Sequence, residues 1–215
     1  MIKKKILVVI ACLFITSFGI AQNEIIDNRE DVTFALKAGL NYSNVYNTQS
    51  ENFRADGKFG FAGGVALTIP LNLYFGIHPE VLLSQKGFKG DGIFLGTNYD
   101  FTRTSTFIDI PLLIAFKPAA TISILAGPQY SYLIKQKDVF NSAFINTVHE
   151  QEFENENIRN NIFGVVAGID INLNHFVIGT RFGWDLMDNH SDGSSNTPRY
   201  RNAWVQATIG YIFYN

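Results

Sequence analysis

His78 and Glu80 stand two residues apart and Ser84 follows four later, residue types that suit a base, an acid and a nucleophile. On an extended chain all three share one face, yet i, i+2 and i+6 spread them along it, so they form no triad unaided. Lys37, Asp109, Asp170, Arg181 and Asp185 are the other ionisable residues set among apolar runs. Projected into one enclosed space, these seven groups make a linked ionic network. His78 and Glu80 can then act as an acid/base pair, or Glu80, Asp109 and Arg181 as the gate of a narrow pore. An internal salt-bridge lattice that stands in for an apolar core is the plainer reading and the favoured one, because a small closed barrel fills its interior with paired polar groups.

Two further constellations invite chemistry. Glu150, Glu152, Glu154 and Glu156 keep a strict period of two, so an extended segment would present four carboxylates on one side, a set that attracts calcium or magnesium. A solvated loop face is the favoured reading, and no metal is expected. Asp188-Asn189-His190-Ser191-Asp192-Gly193 has a calcium-loop outline but places Arg199 where the bidentate glutamate belongs, so it reads as a polar turn. Nucleophile elbows, His-Glu-x-x-His helices and phosphate-cradling glycine loops are absent from the sequence. Neither a catalytic residue nor a cofactor is expected.

The positioning elements are strands. In Phe34-Ala35-Leu36-Lys37-Ala38-Gly39-Leu40-Asn41-Tyr42 the large apolar residues take the even positions and small or polar ones the odd. The same alternation predicts eight strands: Phe34 to Ser43, Lys58 to Ile69, Leu73 to Lys86, Phe107 to Phe116, Ile122 to Lys135, Ile162 to Asn172, Phe176 to Asp185 and Ala203 to Tyr214. Connections alternate between tight (Pro70 to Asn72, Lys117 to Thr121, Leu173 to His175) and long (Asn44 to Gly57, Gly87 to Thr106, Gln136 to Asn161, Leu186 to Asn202). Such alternation is that of an eight-stranded antiparallel up-and-down transmembrane β-barrel with short periplasmic turns and long outer loops, both termini periplasmic. The phase of the charges agrees. With Leu36, Phe61, Ile77, Ile110, Ile124, Ile169, Ile178 and Ile209 facing lipid, every strand-interior charge falls inside, beside small residues such as Gly39, Gly64, Gly168 and Gly179. Reversal would set Lys37 and Arg181 against hydrocarbon at roughly 2 to 4 kcal/mol each. Tyr42, Phe59, Phe75, Phe116, Tyr132, Phe176, Trp184, Tyr211 and Phe213 suit interfacial girdles.

Lys3, Lys4 and Lys5, the apolar run from Ile6 to Phe14 and small residues up to Ala21 make a cleavable signal peptide over residues 1–21. A short periplasmic segment, 22–33, follows, too short to be a plug, and then the barrel, 34–215. The signal holds the sole cysteine, Cys12, so the rest has no disulfide framework. It also holds three of 17 basic residues and none of 19 acidic ones, leaving 14 − 19 = −5, a balance that speaks against nucleic acid.

Lys37-Ala38-Gly39-Leu40-Asn41, Phe107-Ile108-Asp109-Ile110-Pro111-Leu112-Leu113, Ala126-Gly127-Pro128-Gln129-Tyr130 and the closing Ile209-Gly210-Tyr211-Ile212-Phe213 run across the chain. In these motifs it resembles the outer-membrane β-barrel family of Bacteroidetes often called PorT-like, a porin-family small barrel. The resemblance implies the fold and the outer membrane, and no activity, since such families are defined by architecture. Ile209, Tyr211 and Phe213 also look like the C-terminal signal read by the barrel assembly machinery, although the chain ends in Tyr214-Asn215.

The expectation is therefore a non-enzymatic integral outer-membrane protein with a side-chain-filled lumen and a structural or interaction role. Its partners would be outer-membrane lipid and lipopolysaccharide, with the Sec translocon and the assembly machinery during biogenesis. The alternatives are a narrow channel for ions or small solutes, a membrane-embedded hydrolase or acyltransferase, and a soluble periplasmic carrier of lipocalin type.

Overall fold

A computed structural model describes residues 26–46, 55–94, 97–142, 146–152, 158–190 and 199–214. The alternating segments are strands: β1 (Thr33–Tyr46), β2 (Ala55–Pro70), β3 (Phe75–Phe94), β4 (Thr97–Ala119), β5 (Ile122–Ser142), β6 (Asn146–Glu152), β7 (Asn161–Leu173), β8 (Phe176–Asp185) and β9 (Arg201–Phe213). Neighbours pair antiparallel in the order β4-β3-β2-β1-β9-β8-β7-β5, and β4 pairs with β5 to close eight strands into a barrel. The seam is long: β1 meets β9 from Phe34 opposite Phe213 to Tyr46 opposite Arg201. Closure leaves the wall without an open sheet edge, which a lipid environment demands.

The phase is the one the alternation predicts. Phe59, Ile114 and Ile209 are 68%, 64% and 65% exposed, whereas Asn41, Ser84 and Leu113 on the opposite face are fully buried. Outside, the ring pairs Phe34 with Phe213 and Phe75 with Phe116 gather at the end carrying the termini, at 6.0 and 5.3 Å. Tyr42 with Phe59 and Tyr130 with Phe163 gather toward the other end, at 4.9 and 5.3 Å. Among the described residues no helix is long and apolar enough to cross a membrane.

Two expected loops turn out to be largely β-structure. β3 continues to Phe94 and β4 starts at Thr97, while β5 runs to Ser142 and β6 pairs along it from Asn146 to Glu152. Gly87 makes the first extension possible. Its φ is +156°, and a Cβ there would lie 2.0 Å from the Arg103 carbonyl oxygen, so a residue that reads as loop punctuation is the one that keeps the ladder intact. Ile134 forms a bulge on β5, because Lys135 faces Thr106 while Leu133 faces Phe107. That extra residue restores Gln136 to the interior above Leu133.

Candidate functional site

The lumen is packed in two levels. In the level nearer the termini, Lys37 of β1 donates from Nζ to Glu80 Oε1 of β3 (2.9 Å) and to Asp170 Oδ2 of β7 (3.1 Å). Arg181 of β8 donates to the same two acids, at 2.8 Å to Glu80 and at 2.5 and 3.1 Å to the two oxygens of Asp170. Two cations thus meet two carboxylates with no charge left over. His78 completes the group, its Nε2 2.9 Å from Glu80 Oε1 and its Nδ1 2.8 Å from the Thr68 hydroxyl. None of these five side chains is more than 7% exposed. Gly179 makes the room: a Cβ there would stand 2.7 Å from Asp170 Oδ1 and 2.8 Å from Thr208 Oγ1.

Farther up, Lys86 of β3 donates to Asp109 Oδ1 (3.0 Å) and to Ser131 (3.4 Å), while Ser84 donates to Asp109 Oδ2 (2.5 Å). The Lys86 ammonium also lies 3.8 Å from the ring centre of Trp204 and 4.8 Å from that of Phe107. Asp185 accepts from Asn202 Nδ2 (2.7 Å), and its backbone oxygen accepts from the Tyr46 hydroxyl (2.5 Å). Leu113, Ala115, Leu125, Val166 and Trp204 form an apolar cluster inside the same barrel.

The structure therefore brings Lys37, His78, Glu80, Asp170 and Arg181 together and places Asp109 and Asp185 with other partners. A gate of Glu80, Asp109 and Arg181 does not assemble, because Asp109 is held by Lys86 and Ser84. Ser84 likewise gives its hydrogen to Asp109, not to His78. Lys86 joins them from the sequence position two residues after Ser84, on the same strand face. Arg103 was hidden in a presumed loop. It grips Asp138 through two bonds of 2.8 and 2.7 Å, with the rings of Phe101, Tyr200 and Phe88 at 5.4, 5.8 and 6.0 Å, in the part of the barrel away from the termini. Tyr200 is fixed in turn by Asn189, whose side chain accepts from the Tyr200 amide (2.9 Å).

At the opposite end the tail before β1 is engaged with the turns of the barrel. The Ile26 amide donates to Asn174 of the β7–β8 turn (3.1 Å), Lys117 at the end of β4 donates to the Arg29 carbonyl, and the Arg29 guanidinium lies 5.9 Å from the Tyr74 ring. Arg29 also pairs with Asp27 at 2.7 Å, and that hydrogen bond holds the Asp27 carboxyl below its usual range.

Ile209, Tyr211 and Phe213 face outward, 65%, 40% and 47% exposed. His175 stacks on Tyr211 and Tyr214, with ring centres at 5.4 and 4.6 Å, and so clamps the closing strand. Glu150 and Glu152 fall in β6, in register opposite Lys137 and Lys135 of β5. Glu154 and Glu156 lie outside the described residues, as do residues 1–21. Of the second acidic run, Asp188 pairs with Arg201 at 2.7 Å, and Ser191, Asp192 and Gly193 lie outside the description.

Among solved structures, the chain is similar to the attachment invasion locus protein Ail of Yersinia pestis in complex with the heparin analogue sucrose octasulfate. Identity is 16%, over 85% of this chain and 99% of that one, at a TM-score of 0.47. Neisserial surface protein A is 12% identical over 84% and 97%, with a TM-score of 0.45, and OprG of Pseudomonas aeruginosa 12% over 86% and 97%, with 0.42. No curated protein matches the sequence. The family model of the outer membrane protein beta-barrel domain matches residues 20–191. With a closed eight-stranded wall, its apolar face outward and its charges paired inside, the chain belongs to the outer membrane protein beta-barrel domain family, as a protein of the outer membrane.

Proposed function

We propose that this is a non-conducting, non-enzymatic outer-membrane protein whose work lies in interactions made by the strand extensions and loops on the cell-surface side. The observation that carries the reading is the lumen itself: two levels of paired, buried side chains cross it, and the buried Arg103 pairs with Asp138 beyond them. A pore needs a wet path and a hydrolase needs its base within reach of substrate. Neither is supported where His78, Glu80 and Lys86 are enclosed by their own partners.

In this reading both termini are periplasmic, residues 1–21 are the export signal read by the Sec translocon, and Ile209, Tyr211 and Phe213 present the face recognised by the assembly machinery. Lipid and lipopolysaccharide surround the wall. The motifs beginning at Lys37 and Phe107 support placement in the PorT-like branch. β3 to β6, which rise beyond the Tyr42 and Tyr130 girdle, form the surface offered to an outside partner. Planar-bilayer recording of the refolded protein tests the closed lumen. No unitary steps are expected with any small ion, and regular steps that vanish in a variant with a bulkier lumen, such as Gly179→Leu, would replace this reading with the channel.

A further inference from the structure

We infer that Lys37 is the resident cation of a metal-type cage, and that its ammonium is what keeps divalent transition ions out of this lumen. A nitrogen of His78 and one carboxylate oxygen each of Glu80 and Asp170 lie within 4.8 Å of one another, the residue types and number that hold zinc or cobalt with one position to spare. β3 and β7 supply them from different sides of the barrel, so the rigid wall fixes their separation. Nζ of Lys37 sits among all three, 2.9 Å from Glu80 Oε1, 3.1 Å from Asp170 Oδ2 and 3.4 Å from His78 Nε2.

Charge and hydrogen bonding around the cage fit an exchange of one cation for another. With Lys37 neutralised by substitution, Glu80 and Asp170 face Arg181 alone, and the level carries one uncompensated negative charge. His78 can turn from hydrogen donor to ligand without moving its ring. The Thr68 hydroxyl 2.8 Å from Nδ1 accepts as readily as it donates, so it stabilises the tautomer whose Nε2 is free to bind an ion. Metal bonds of roughly 2.0 to 2.2 Å draw the three ligands inward by about 1 Å from where the ammonium holds them. The inference is independent of whether the barrel conducts, since it concerns only what occupies this level.

The test uses the whole chain refolded in detergent, wild type beside Lys37→Ser and Lys37→Met, titrated with Co2+ and then Zn2+. Wild type is expected to show no visible cobalt absorption. Lys37→Ser is expected to take up one equivalent, to release it to Zn2+, and to gain thermal stability in the heat-modifiable gel shift as the ion is added. Adding Asp170→Asn should weaken binding by roughly 100-fold while leaving folding in place. A folded Lys37→Ser and Lys37→Met that ignore both metals would overturn the inference, as would cobalt binding by the wild type at the same ligands. Failure of both variants to refold at any metal concentration would overturn it too, because an ion from solution would then not replace the ammonium.

Discussion

Lys37 and Lys86 are two lysines equally removed from water, with side chains 3% and 0% exposed, in neighbouring levels of one lumen, yet they are held by different chemistry. Around Lys37 the partners are ionic and hydrogen-bonding throughout: two carboxylates, an imidazole and a second cation. Around Lys86 there is one bonded carboxylate, a serine hydroxyl and the faces of two aromatic rings. Desolvating a cation costs several kcal/mol, and ring faces offset part of that without adding a further charge to be satisfied. The first level is thus a closed network in which each member depends on the others. The second is a cation seated against the Trp204 and Phe107 rings, Trp204 itself packed with Leu113, Leu125 and Val166, and it should tolerate the loss of one member better.

Arg181→Met tests the network at its most connected point and carries the largest expected effect. It removes three bonds to the two carboxylates and one to the Thr180 carbonyl and leaves Glu80 and Asp170 sharing Lys37, a loss of about 3 to 5 kcal/mol. The urea midpoint of vesicle-refolded protein, read by tryptophan fluorescence, measures it. Lys86→Met should cost less, about 2 to 3 kcal/mol, because the thioether fills the slot between the Trp204 and Phe107 rings and Asp109 keeps its Ser84 bond. Adding Asp109→Asn to it should restore most of that loss. If Lys86→Met costs as much as Arg181→Met and the second change restores nothing, the contrast between the levels is wrong. Gly183→Ala attacks the slot from behind: a Cβ would stand 2.1 Å from the Trp204 ring, so the ring must shift off Lys86 at about 1 to 2 kcal/mol. Quenching or a shift of the Trp204 emission should accompany it.

Much of this was legible in the sequence. A period of two is a strong signal when one face is lipid, and it is enough to set Lys37, Glu80, Asp170 and Arg181 inside, where they are buried. What failed was the distance between levels, because strand register, not sequence spacing, decides that Asp109 meets Lys86 and not Arg181. The upper strand extensions failed for another reason. Thr102-Arg103-Thr104-Ser105-Thr106 is polar on both faces, since above the membrane neither face touches hydrocarbon, and Gly87 and Gly90 nearby read as breaks. Strand propensity in those threonines was the surviving signal. The tail before β1 gave none, since its bonds depend on turns far away in the chain.

The smallest expected effect marks the boundary of the buried levels. Asp188 and Arg201 pair at 2.7 Å at the lumen's far rim, but their side chains remain 25% and 30% exposed. Water screens such a pair, so Asp188→Asn should cost only about 0.2 to 1 kcal/mol in low salt. Raising the salt to about 1 M shortens the screening length to roughly 3 Å and should erase that difference. The cost of Arg181→Met should not move in the same titration, because the Glu80 and Asp170 oxygens it leaves behind are buried, where added salt screens charges far less. Measuring both variants at both salts separates the two environments directly. A salt-dependent cost at Arg181 would mean that solvent enters the level around Lys37, and the closed lumen would have to be abandoned.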